Sequence, residues 1–218
     1  MEINCLGHSC FRFKTKIATL VTDPFDPEKV GFKYPELSAD IVTVSHPHPD
    51  HDFLDKVKGE PFVVDGPGEY EVKGISVFGV ASYHDDKKGK ERGQNTIYTI
   101  ETEGLKICHL GDLGEKLNEE QLEEIGGVDI LLIPVGGVYT IDFEEAVEII
   151  DQIEPKIVIP MHYKERGMTK DFDQLAGVDE FLKSLGVEVT PVSRLTINKD
   201  KLPEEREVVV LSRKFMKT

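Results

Sequence analysis

Cysteine, long apolar runs and positive charge are all scarce in this chain, and each shortage excludes a class of protein. The three cysteines are an odd number in apolar surroundings, so they argue against a disulfide framework and indicate reduced, buried thiols. No run approaches the ~18 apolar residues of a membrane-spanning helix. The first residues carry no basic segment followed by an apolar stretch, so no signal peptide is expected. We therefore predict a cytoplasmic protein that does not associate with a membrane.

The shortage of positive charge bears on the partner. The chain has 26 Lys and Arg residues against 41 Asp and Glu residues, a formal net charge of −15. A surface this acidic repels phosphate backbones, so a nucleic acid is not expected as a partner, although a local basic patch would escape the average. A small-molecule substrate is the expected partner. The composition leaves the oligomeric state open.

Length and hydrophobic patterning indicate one globular domain of mixed α/β (α+β) class. The 218 residues are 39% hydrophobic and 31% charged, which is enough to bury a large core. No linker or low-complexity tract divides residues 1–218, so a single domain is predicted. Short strands come first, and strands then alternate with helices. The clearest helix is predicted at 142–153, where Asp142 and Glu145 have capping-box spacing. Short strands are predicted at 188–190, 195–198 and 208–212.

A faint internal repeat suggests that this domain has two similar halves. In the first half one apolar strand ends at Asp23 and a later one at His46, while in the second half one ends near Asp112 and a later one at His162. Open sheets present reactive side chains at the ends of their strands. Two halves that each present such residues from one edge would form a single site at their junction.

Residues 46–51, His-Pro-His-Pro-Asp-His, are the most informative segment. They follow the apolar segment 41–44 and hold three of the seven histidines in the chain. The alternative is a polar surface loop, but imidazoles and a carboxylate at this spacing are typical of sites for zinc and similar divalent cations. His46 and His48 alternate, while the adjacent pair Asp50 and His51 can face a second ion. The two prolines restrict the loop and lower the entropic cost of ordering the ligands.

Three residues at other strand ends are further candidate ligands. His84 would complete a set with His46 and His48, although it also fits a lone surface histidine. Asp112 follows a glycine, where a carboxylate can bridge two cations that compensate the cost of its burial; the alternative is an aspartate that caps a helix. His162 ends an apolar run, and as a core histidine it would need a buried partner.

Other polar residues are predicted to act around the metals. Asp23 would orient a ligating imidazole through its free ring N–H. His109 lies inside a strand, on the face opposite Asp112, and is interpreted as a supporting or core residue. His8 sits in a glycine turn, either as a substrate-side residue or as a plain turn histidine.

In their order along the chain these residues resemble the motif series of the metallo-β-lactamase superfamily: Asp23, the loop 46–51, His84, Asp112 and His162. The resemblance implies a four-layer αββα sandwich with two pseudo-symmetric halves. It also implies two metal ions bridged by Asp112, one held by His46, His48 and His84 and the other by Asp50, His51 and His162. The segment 6–9, Leu-Gly-His-Ser, resembles the branch that contains the ascorbate-phosphate lactonase and some phosphodiesterases. Segments 66–70 and 109–114 are similar to a group of small prokaryotic members of that branch.

Ligand chemistry and resemblance together predict a metal-dependent hydrolase, with zinc the expected metal and Mn or Fe the alternatives. Two cations about 3.5–4 Å apart lower the pKa of a bridging water and stabilise the attacking and leaving oxygens. The bridging hydroxide would attack a small ester, lactone or thioester-like substrate. Asp50 is the candidate catalytic residue that orients this hydroxide or shuttles its proton. His8, Tyr139 and Thr140 are candidate substrate contacts, although Tyr139 also fits a residue that caps the core edge.

Two other functions fit the same residues. A phosphodiesterase acting on a small nucleotide or phospholipid-like substrate would need a basic pocket near the metals. Lys164, Arg166 and Lys170 are the nearest candidates, although a charge run of this kind also fits a solvated face. A metal-binding module without turnover would need its open coordination positions blocked by protein groups.

Overall fold

The computed structural model describes residues 1–213, which form two large β-sheets and one small sheet. The first sheet contains β1 (Glu2–Gly7), β2 (Cys10–Lys14), β3 (Thr19–Thr22), β5 (Ile41–Thr43), β7 (Phe62–Val64) and β14 (Leu195–Thr196). The second contains β8 (Gly68–Val72), β9 (Ile75–Tyr83), β10 (Gln94–Thr102), β11 (Leu105–His109), β12 (Ile130–Pro134), β13 (Ile157–Met161) and β15 (Glu207–Val208). The short strands β4 (Leu37–Ser38) and β6 (Val57–Lys58) pair with each other.

The helices are short, and side chains cap the N-termini of the first three. The helices are α1 (Pro27–Val30), α2 (Glu119–Ile125), α3 (Phe143–Ile153) and α4 (Val178–Leu185). The predicted capping box is present, because the Asp142 carboxylate accepts hydrogen bonds from the backbone N–H groups of Glu144 and Glu145. The predicted helix is therefore confirmed. Within residues 1–213, no helix has the length and apolar character needed to cross a bilayer.

Both large sheets begin with antiparallel strands and continue with parallel ones. In the first sheet β1, β2 and β3 pair antiparallel, and β5 and β7 run parallel to β3. In the second sheet β9, β10 and β11 pair antiparallel, and β12 and β13 run parallel to β11. The C-terminal ends of β1, β3 and β5 therefore lie on one edge of the first sheet. The C-terminal ends of β9, β11 and β13 lie on one edge of the second sheet for the same reason.

Three apolar clusters separate four layers. The first lies between the two sheets, where Ile3 and Phe11 of the first sheet pack in one core with Ile107 and Leu132 of the second. The second lies between the second sheet and helices α2, α3 and α4. The third covers the outer face of the first sheet and includes Val30 of α1. Two facing sheets with helices outside them are the predicted mixed α/β architecture, which is confirmed. The three cysteines are free and buried, as predicted.

Three local features differ from the predictions. The strand predicted at 208–212 is limited to Glu207–Val208, followed by an isolated bridge between Leu211 and Val192. The segment 188–190 is irregular and largely exposed, since no neighbouring strand of the described chain offers it a ladder partner. The one-turn helix α1 was not predicted, because four residues are too few for a hydrophobic period. Its local signals are the Asp26 side chain, which accepts from the N–H of Glu28, and Pro27 at the first helical position.

Candidate metal centre

Residues at the C-terminal ends of six strands meet where the edges of the two sheets face each other. Beyond β1, β3 and β5 of the first sheet and β9, β11 and β13 of the second, these residues are respectively His8, Asp23, His46, His84, Asp112 and His162. Three of them, His8, Asp23 and His162, have positive φ angles of 57°, 40° and 52°. Such conformations are uncommon for residues other than glycine and often mark functional positions.

Asp112 lies at the centre of this cluster. Its Oδ2 atom is 3.1 Å from Nε2 of His162, 3.2 Å from Nε2 of His51, 3.4 Å from Nε2 of His84 and 3.8 Å from Nε2 of His46. Its side chain is only 2% exposed. Imidazoles from both sheets therefore surround a single buried carboxylate oxygen.

The backbone before Asp112 adopts a conformation that glycine tolerates best. Gly111 has a φ of +58°, and a Cβ atom there would lie 2.3 Å from Oδ1 of Asn95 and 2.6 Å from Cβ of Ser45. Asn95 accepts a hydrogen bond from the N–H of Asp112 at 2.9 Å and donates one to the carbonyl of Leu110 at 2.9 Å. These contacts hold the carboxylate between the two sheets.

The loop 46–51 is held by its own backbone. The N–H of His48 donates to the carbonyl of His46, and the N–H groups of His51 and Asp52 donate to the carbonyl of His48. The rings of His46 and His48 lie 4.6 Å apart, and the ring of His84 lies 4.6 Å from that of His46. The loop thus presents adjacent imidazoles and brings a third one from the other sheet alongside them.

The potential ligands form three groups that could each hold a metal ion, and the ligand atoms of each group lie within 4.8 Å of one another. Two of the groups share no residue: one contains His46, His48 and His84, and the other contains His8, Asp50, His51 and His162. The third group, His46, His51 and Asp112, takes one residue from each of these two and adds Asp112. Several of these atoms are buried without a hydrogen-bond partner in the described chain, among them Nε2 of His46, His51 and His162 and Oδ1 of Asp112. Each unpaired buried atom costs about 1–3 kcal/mol, and coordination to a cation would satisfy it. Nitrogen and oxygen donors suit Zn²⁺ and related ions, so the residues fit a metal centre.

Asp23 orients two histidines of the loop 46–51, one directly and one through Ser45. Its Oδ2 atom lies 2.9 Å from Nδ1 of His51 and accepts a hydrogen bond from the Ser45 hydroxyl at 2.6 Å. The Ser45 hydroxyl in turn lies 2.9 Å from Nδ1 of His46. In this arrangement one buried carboxylate orients two imidazoles whose Nε2 atoms point towards Asp112.

Burial keeps most of the histidines neutral. It lowers the pKa of His46 well below its ordinary value and lowers the pKa values of His8 and His84 to about 4. His51 behaves differently: burial would lower its pKa, but Asp112 and the neighbouring carboxylates raise it well above its ordinary value. A neutral imidazole is the form that binds a metal, so only His51 among these four would have to release a proton.

The three carboxylates of the cluster stay ionised. Burial would raise the pKa values of Asp23, Asp50 and Asp112, but the surrounding imidazoles outweigh it and hold all three below their ordinary values. Negative charge is therefore concentrated where the cations would lie.

His109 lies outside all three ligand groups. Its Nε2 atom donates to the carbonyl of Ser9 at 2.9 Å, and its Nδ1 atom accepts from the N–H of Gly111 at 3.1 Å. The ring is fully buried and faces the edge of the Phe11 ring between the sheets. These bonds tie the turn after β1 to the end of β11.

A cleft of about 490 Å³ opens above the cluster. Tyr139 and Phe172 line it together with two cations, Lys29 and Arg92. The Tyr139 hydroxyl donates to the carbonyl of Asp171 at 2.7 Å, and the Asp171 carboxylate pairs with Lys29 at 2.6 Å. The Arg92 guanidinium lies 4.8 Å from the centre of the Tyr139 ring, a cation–π distance.

Sequence reasoning missed Lys29, Arg92 and Asp171 as cleft residues. Their positions are far apart in the chain, and no local motif distinguishes them from other charged surface residues. The basic residues suggested after His162 are placed differently, because Lys164 pairs with Asp173 at 2.6 Å instead of lining the cleft. Thr140 lines a neighbouring depression, and its hydroxyl donates to the carbonyl of Ile141.

Asp85 organises the loop that carries Arg92. Its carboxylate accepts hydrogen bonds from the backbone N–H groups of Lys87, Gly89, Glu91 and Arg92. Burial would raise the pKa of Asp85, but these four donors outweigh it and lower the pKa to about 2. The loop after His84 is therefore fixed by one ionised side chain.

Comparisons with known proteins find relatives along most of the chain. Residues 2–162 match a family model described as a beta-lactamase superfamily domain. A UPF0173 metal-dependent hydrolase from Thermoplasma acidophilum is 32% identical over 200 residues, covering 78% of this chain and 88% of the relative. A relative of the same description from Thermococcus onnurineus is 30% identical over 191 residues, covering 75% and 84%.

Solved structures give the same result. A proposed Zn-dependent hydrolase of the metallo-beta-lactamase superfamily from Thermotoga maritima is 43% identical, with a TM-score of 0.80 and coverage of 96% of this chain and 97% of that one. Igni18, a metallo hydrolase from Ignicoccus hospitalis, is 20% identical with a TM-score of 0.67, covering 90% and 99% of the two chains. At that identity the second likeness concerns the fold alone.

Proposed function

This chain belongs to the metallo-β-lactamase superfamily, among the UPF0173 metal-dependent hydrolases, and from that premise we propose a binuclear enzyme that hydrolyses a small ester, lactone or thioester. The observation that carries the proposal is the position of Asp112. Its Oδ2 atom lies within 3.8 Å of four imidazole nitrogens that come from both sheets. A carboxylate so placed can serve two cations at once, because their charge compensates the cost of its burial.

The proposed ligands are drawn from these groups of side chains and at this point leave out His8, which the sequence predicted outside the ligand set. The first position would use His46, His48 and His84, the second Asp50, His51 and His162, and Asp112 would bridge them. The donor set favours zinc, the metal in the name of the Thermotoga relative, and Mn and Fe are the alternatives. Bound metal ions would supply Lewis acidity, which lowers the pKa of a water and polarises the oxygen of the scissile group.

Asp50 is the proposed catalytic residue. Its side chain is 14% exposed and lines the cleft, so it can reach both the metal positions and a substrate. Because its pKa is held below its ordinary value, the carboxylate is ionised at neutral pH and can accept a hydrogen bond that orients an attacking water. Because the pKa of that water would be lowered by bound metal ions, Asp50 could also shuttle its proton. The cleft volume falls within the range of small-ligand sites, with Tyr139 as the wall residue that a substrate would contact. Thr140 stays a candidate contact from the neighbouring depression.

A phosphodiesterase is the second candidate function, and one observation favours it. Lys29 and Arg92 place two cations on the walls of the cleft, where they could pair with the charged oxygens of a phosphoester. Lys29 is already paired with Asp171, however, so only part of this charge is free for a substrate.

Four broader expectations are proposals of the same kind. The described residues form one domain of two pseudo-symmetric halves, which the matching strand directions of the two large sheets support. Residues 214–218 lie outside the described part of the chain. The segment 6–9 supports a place in the lactonase-containing branch of the superfamily. A cytoplasmic location and a small-molecule substrate remain the expectations from composition.

The test begins with metal. Metal-free protein reconstituted with Zn²⁺, Mn²⁺ or Fe²⁺ should bind close to two equivalents per chain, measured by elemental analysis after removal of excess metal. The loaded protein is then screened against lactones, thioesters and phosphodiesters. Binding of no metal would overturn the metal centre. Two equivalents without turnover in any class would contradict the proposed substrate.

Two lysine variants separate the candidate substrates. Lys29→Ala removes a cation from the cleft, and Lys164→Ala is its matched control, because Lys164 forms a similar pair with Asp173 away from the cleft. If the substrate is a phosphodiester, Lys29→Ala should raise KM by about tenfold and Lys164→Ala should not. If it is a neutral lactone or thioester, both variants should match the wild type.

A further inference from the structure

The turn between β1 and β2 carries an imidazole to which the proposed ligand sets give no role. His8 is 3% exposed, and both of its ring nitrogens are buried without a hydrogen-bond partner among the described residues. A histidine that merely fills the core would be expected to have at least one nitrogen satisfied. His109 is such a residue, since both of its nitrogens are bonded. The ring of His8 therefore lacks the partner that its burial calls for.

The surroundings of His8 are the ligands of the second metal position. Its Nε2 atom lies 3.4 Å from Oδ2 of Asp50, and its ring centroid lies 4.1 Å from that of His162 and 5.1 Å from that of His51. Around a four- or five-coordinate ion with bonds of about 2.0–2.2 Å, neighbouring ligand atoms lie roughly 3–3.6 Å apart. The separation of His8 and Asp50 fits that spacing, as do the 3.1 Å and 3.2 Å separations of His162 and His51 from Asp112.

Topology gives a second and independent argument. β1 is the first of the three antiparallel strands β1, β2 and β3, and β9 is the first of β9, β10 and β11. His8 directly follows β1, and His84 directly follows β9. Asp23 and Asp112 likewise lie beyond the third strand of each series. His8 thus occupies in the first sheet the place that His84, a proposed ligand of the first position, occupies in the second.

The backbone holds the ring in place at a conformational cost. His8 has a φ of 57°, which a histidine adopts only when its surroundings enforce it. The carbonyl of Ser9 accepts from His109, and the carbonyl of His8 faces the N–H of His162 at 3.5 Å. The turn is thereby fixed to both β11 and the residue after β13, and the imidazole is aimed between the two sheets.

From these observations we propose that His8 is a further ligand of the second metal position, beside Asp50, His51 and His162. The inference rests on the proposed binuclear function and extends it. It replaces the two alternatives that the sequence left open for His8, a substrate-side residue or a plain turn histidine. It also makes the second position depend on the N-terminal turn, a part of the chain remote in sequence from the loop 46–51.

The experiment measures metal affinity without any substrate. Metal-free wild type, His8→Asn and His8→Gly are titrated with Co²⁺ against a competing chromophoric chelator, so that the two equivalents are resolved and their visible spectra recorded. Asn and Gly both tolerate the left-handed backbone of His8, which protects the fold. His48→Ala is the matched control, because it removes one imidazole from the first position. Circular dichroism verifies that each variant is folded.

In both His8 variants the second equivalent of metal should bind at least about 100-fold more weakly. That loss is at or beyond the 10–100-fold loss typical when a residue that only hydrogen-bonds to a metal ligand is removed. The cobalt spectrum of the second equivalent should change, and the first equivalent should bind as in the wild type. Added imidazole should restore affinity to His8→Gly, since it can occupy the vacated position. His48→Ala should show the opposite pattern, with the first equivalent weakened.

Several results would overturn the inference. One is a second equivalent that binds both variants within threefold of the wild type with an unchanged spectrum. Another is weaker binding with an unchanged spectrum and no rescue by imidazole, which would make His8 a positioning residue for Asp50.

Other results would bear on the binuclear function instead. A wild type that binds only one equivalent would contradict that function. If that single equivalent were weakened by His8→Gly but not by His48→Ala, ligation by His8 would still be supported. Two equivalents without hydrolysis would leave the His8 result standing.

Discussion

The loop 46–51 and the strand ends of the second sheet contribute to the same cluster in opposite ways. The loop brings His46, His48, Asp50 and His51 together through hydrogen bonds between near neighbours. The second sheet contributes His84, Asp112 and His162 from the ends of β9, β11 and β13, which are far apart in the chain. The loop depends on local turns, whereas the other three depend on strand pairing across the whole second sheet.

This difference shows where the cluster is most vulnerable. A change within the loop removes one proposed ligand and leaves the neighbours held by their own backbone. Asp112 comes from the distributed region, yet its Oδ2 atom contacts imidazoles of the loop and of both other strand ends. The strand ends of the second sheet therefore supply the central residue of the cluster, Asp112, and the loop 46–51 supplies residues around it.

Asp112→Ala should produce the largest effect. It removes the carboxylate that lies between the two proposed cations, which would then repel each other. Metal content should fall below one equivalent. Activity should fall by much more than the roughly 10–100-fold typical when a residue that only hydrogen-bonds to a metal ligand is removed. His109→Ala, on the same strand but outside the ligand groups, is the control and should keep metal. If His109→Ala lost both metals while Asp112→Ala kept them, the central role of Asp112 would be wrong.

Asp50→Asn tests the contribution of the loop 46–51. The amide keeps the size of the side chain but cannot take a proton, so kcat should fall by about 10²–10⁴-fold while the first metal position stays occupied. Metal content and turnover are measured on the same preparation. Asp52→Asn, the neighbouring loop carboxylate outside all three ligand groups, should have little effect. An equal loss in both variants would show that general damage to the loop is responsible.

Asp23→Asn and Ser45→Ala sharpen the comparison within the first sheet. Asp23 contacts His51 directly, whereas Ser45 lies between Asp23 and His46. Asp23→Asn should weaken the second metal position by about 10–100-fold, and Ser45→Ala should act mainly on the first by a smaller factor. Stepwise metal titration measures both. If Asp23→Asn instead weakened the first metal position and Ser45→Ala the second, these hydrogen bonds would not be what orients His51 and His46.

The smallest expected effect is a change of metal-induced stability with pH. The pKa of His51 is raised in the folded, metal-free protein, so its contribution to stability is complete below its unfolded pKa and is lost as pH rises through the folded pKa. A metal must displace this proton, so binding should strengthen as pH rises towards that pKa, by up to about 1.4 kcal/mol per pH unit for one proton. The Tm gain on adding Zn²⁺ should therefore be larger at pH 8 than at pH 6, by roughly 3 °C per unit. A pH-independent gain would show that His51 is not a ligand.

Several elements could be predicted because their signals are local. The capping box at Asp142 marks the start of α3, and the apolar runs before Asp23, His46, Asp112 and His162 mark strands that end near those residues. The internal repeat in the sequence matches the strand order of the two sheets only in part. Asp23 and Asp112 follow the matching strands β3 and β11, but His46 follows β5, the neighbour of β3, whereas His162 follows β13, one strand beyond the neighbour of β11. Strand order depends on crossovers, which a linear pattern does not record.

The sequence by itself determined the chemistry of the centre, since the spacing of imidazoles and carboxylates in the loop 46–51 is a property of neighbouring residues. Only the tertiary structure decided how the cleft is built and which other groups reach the cluster. Lys29 meets Asp171, Arg92 covers Tyr139, and His8 enters beside Asp50. These contacts join segments far apart in the chain, and they exist because two sheets pack face to face with their strand ends on a common edge. The physical reason is that a ligand set within one turn is fixed by local hydrogen bonds, whereas a contact between sheets is fixed by the packing of the core between them.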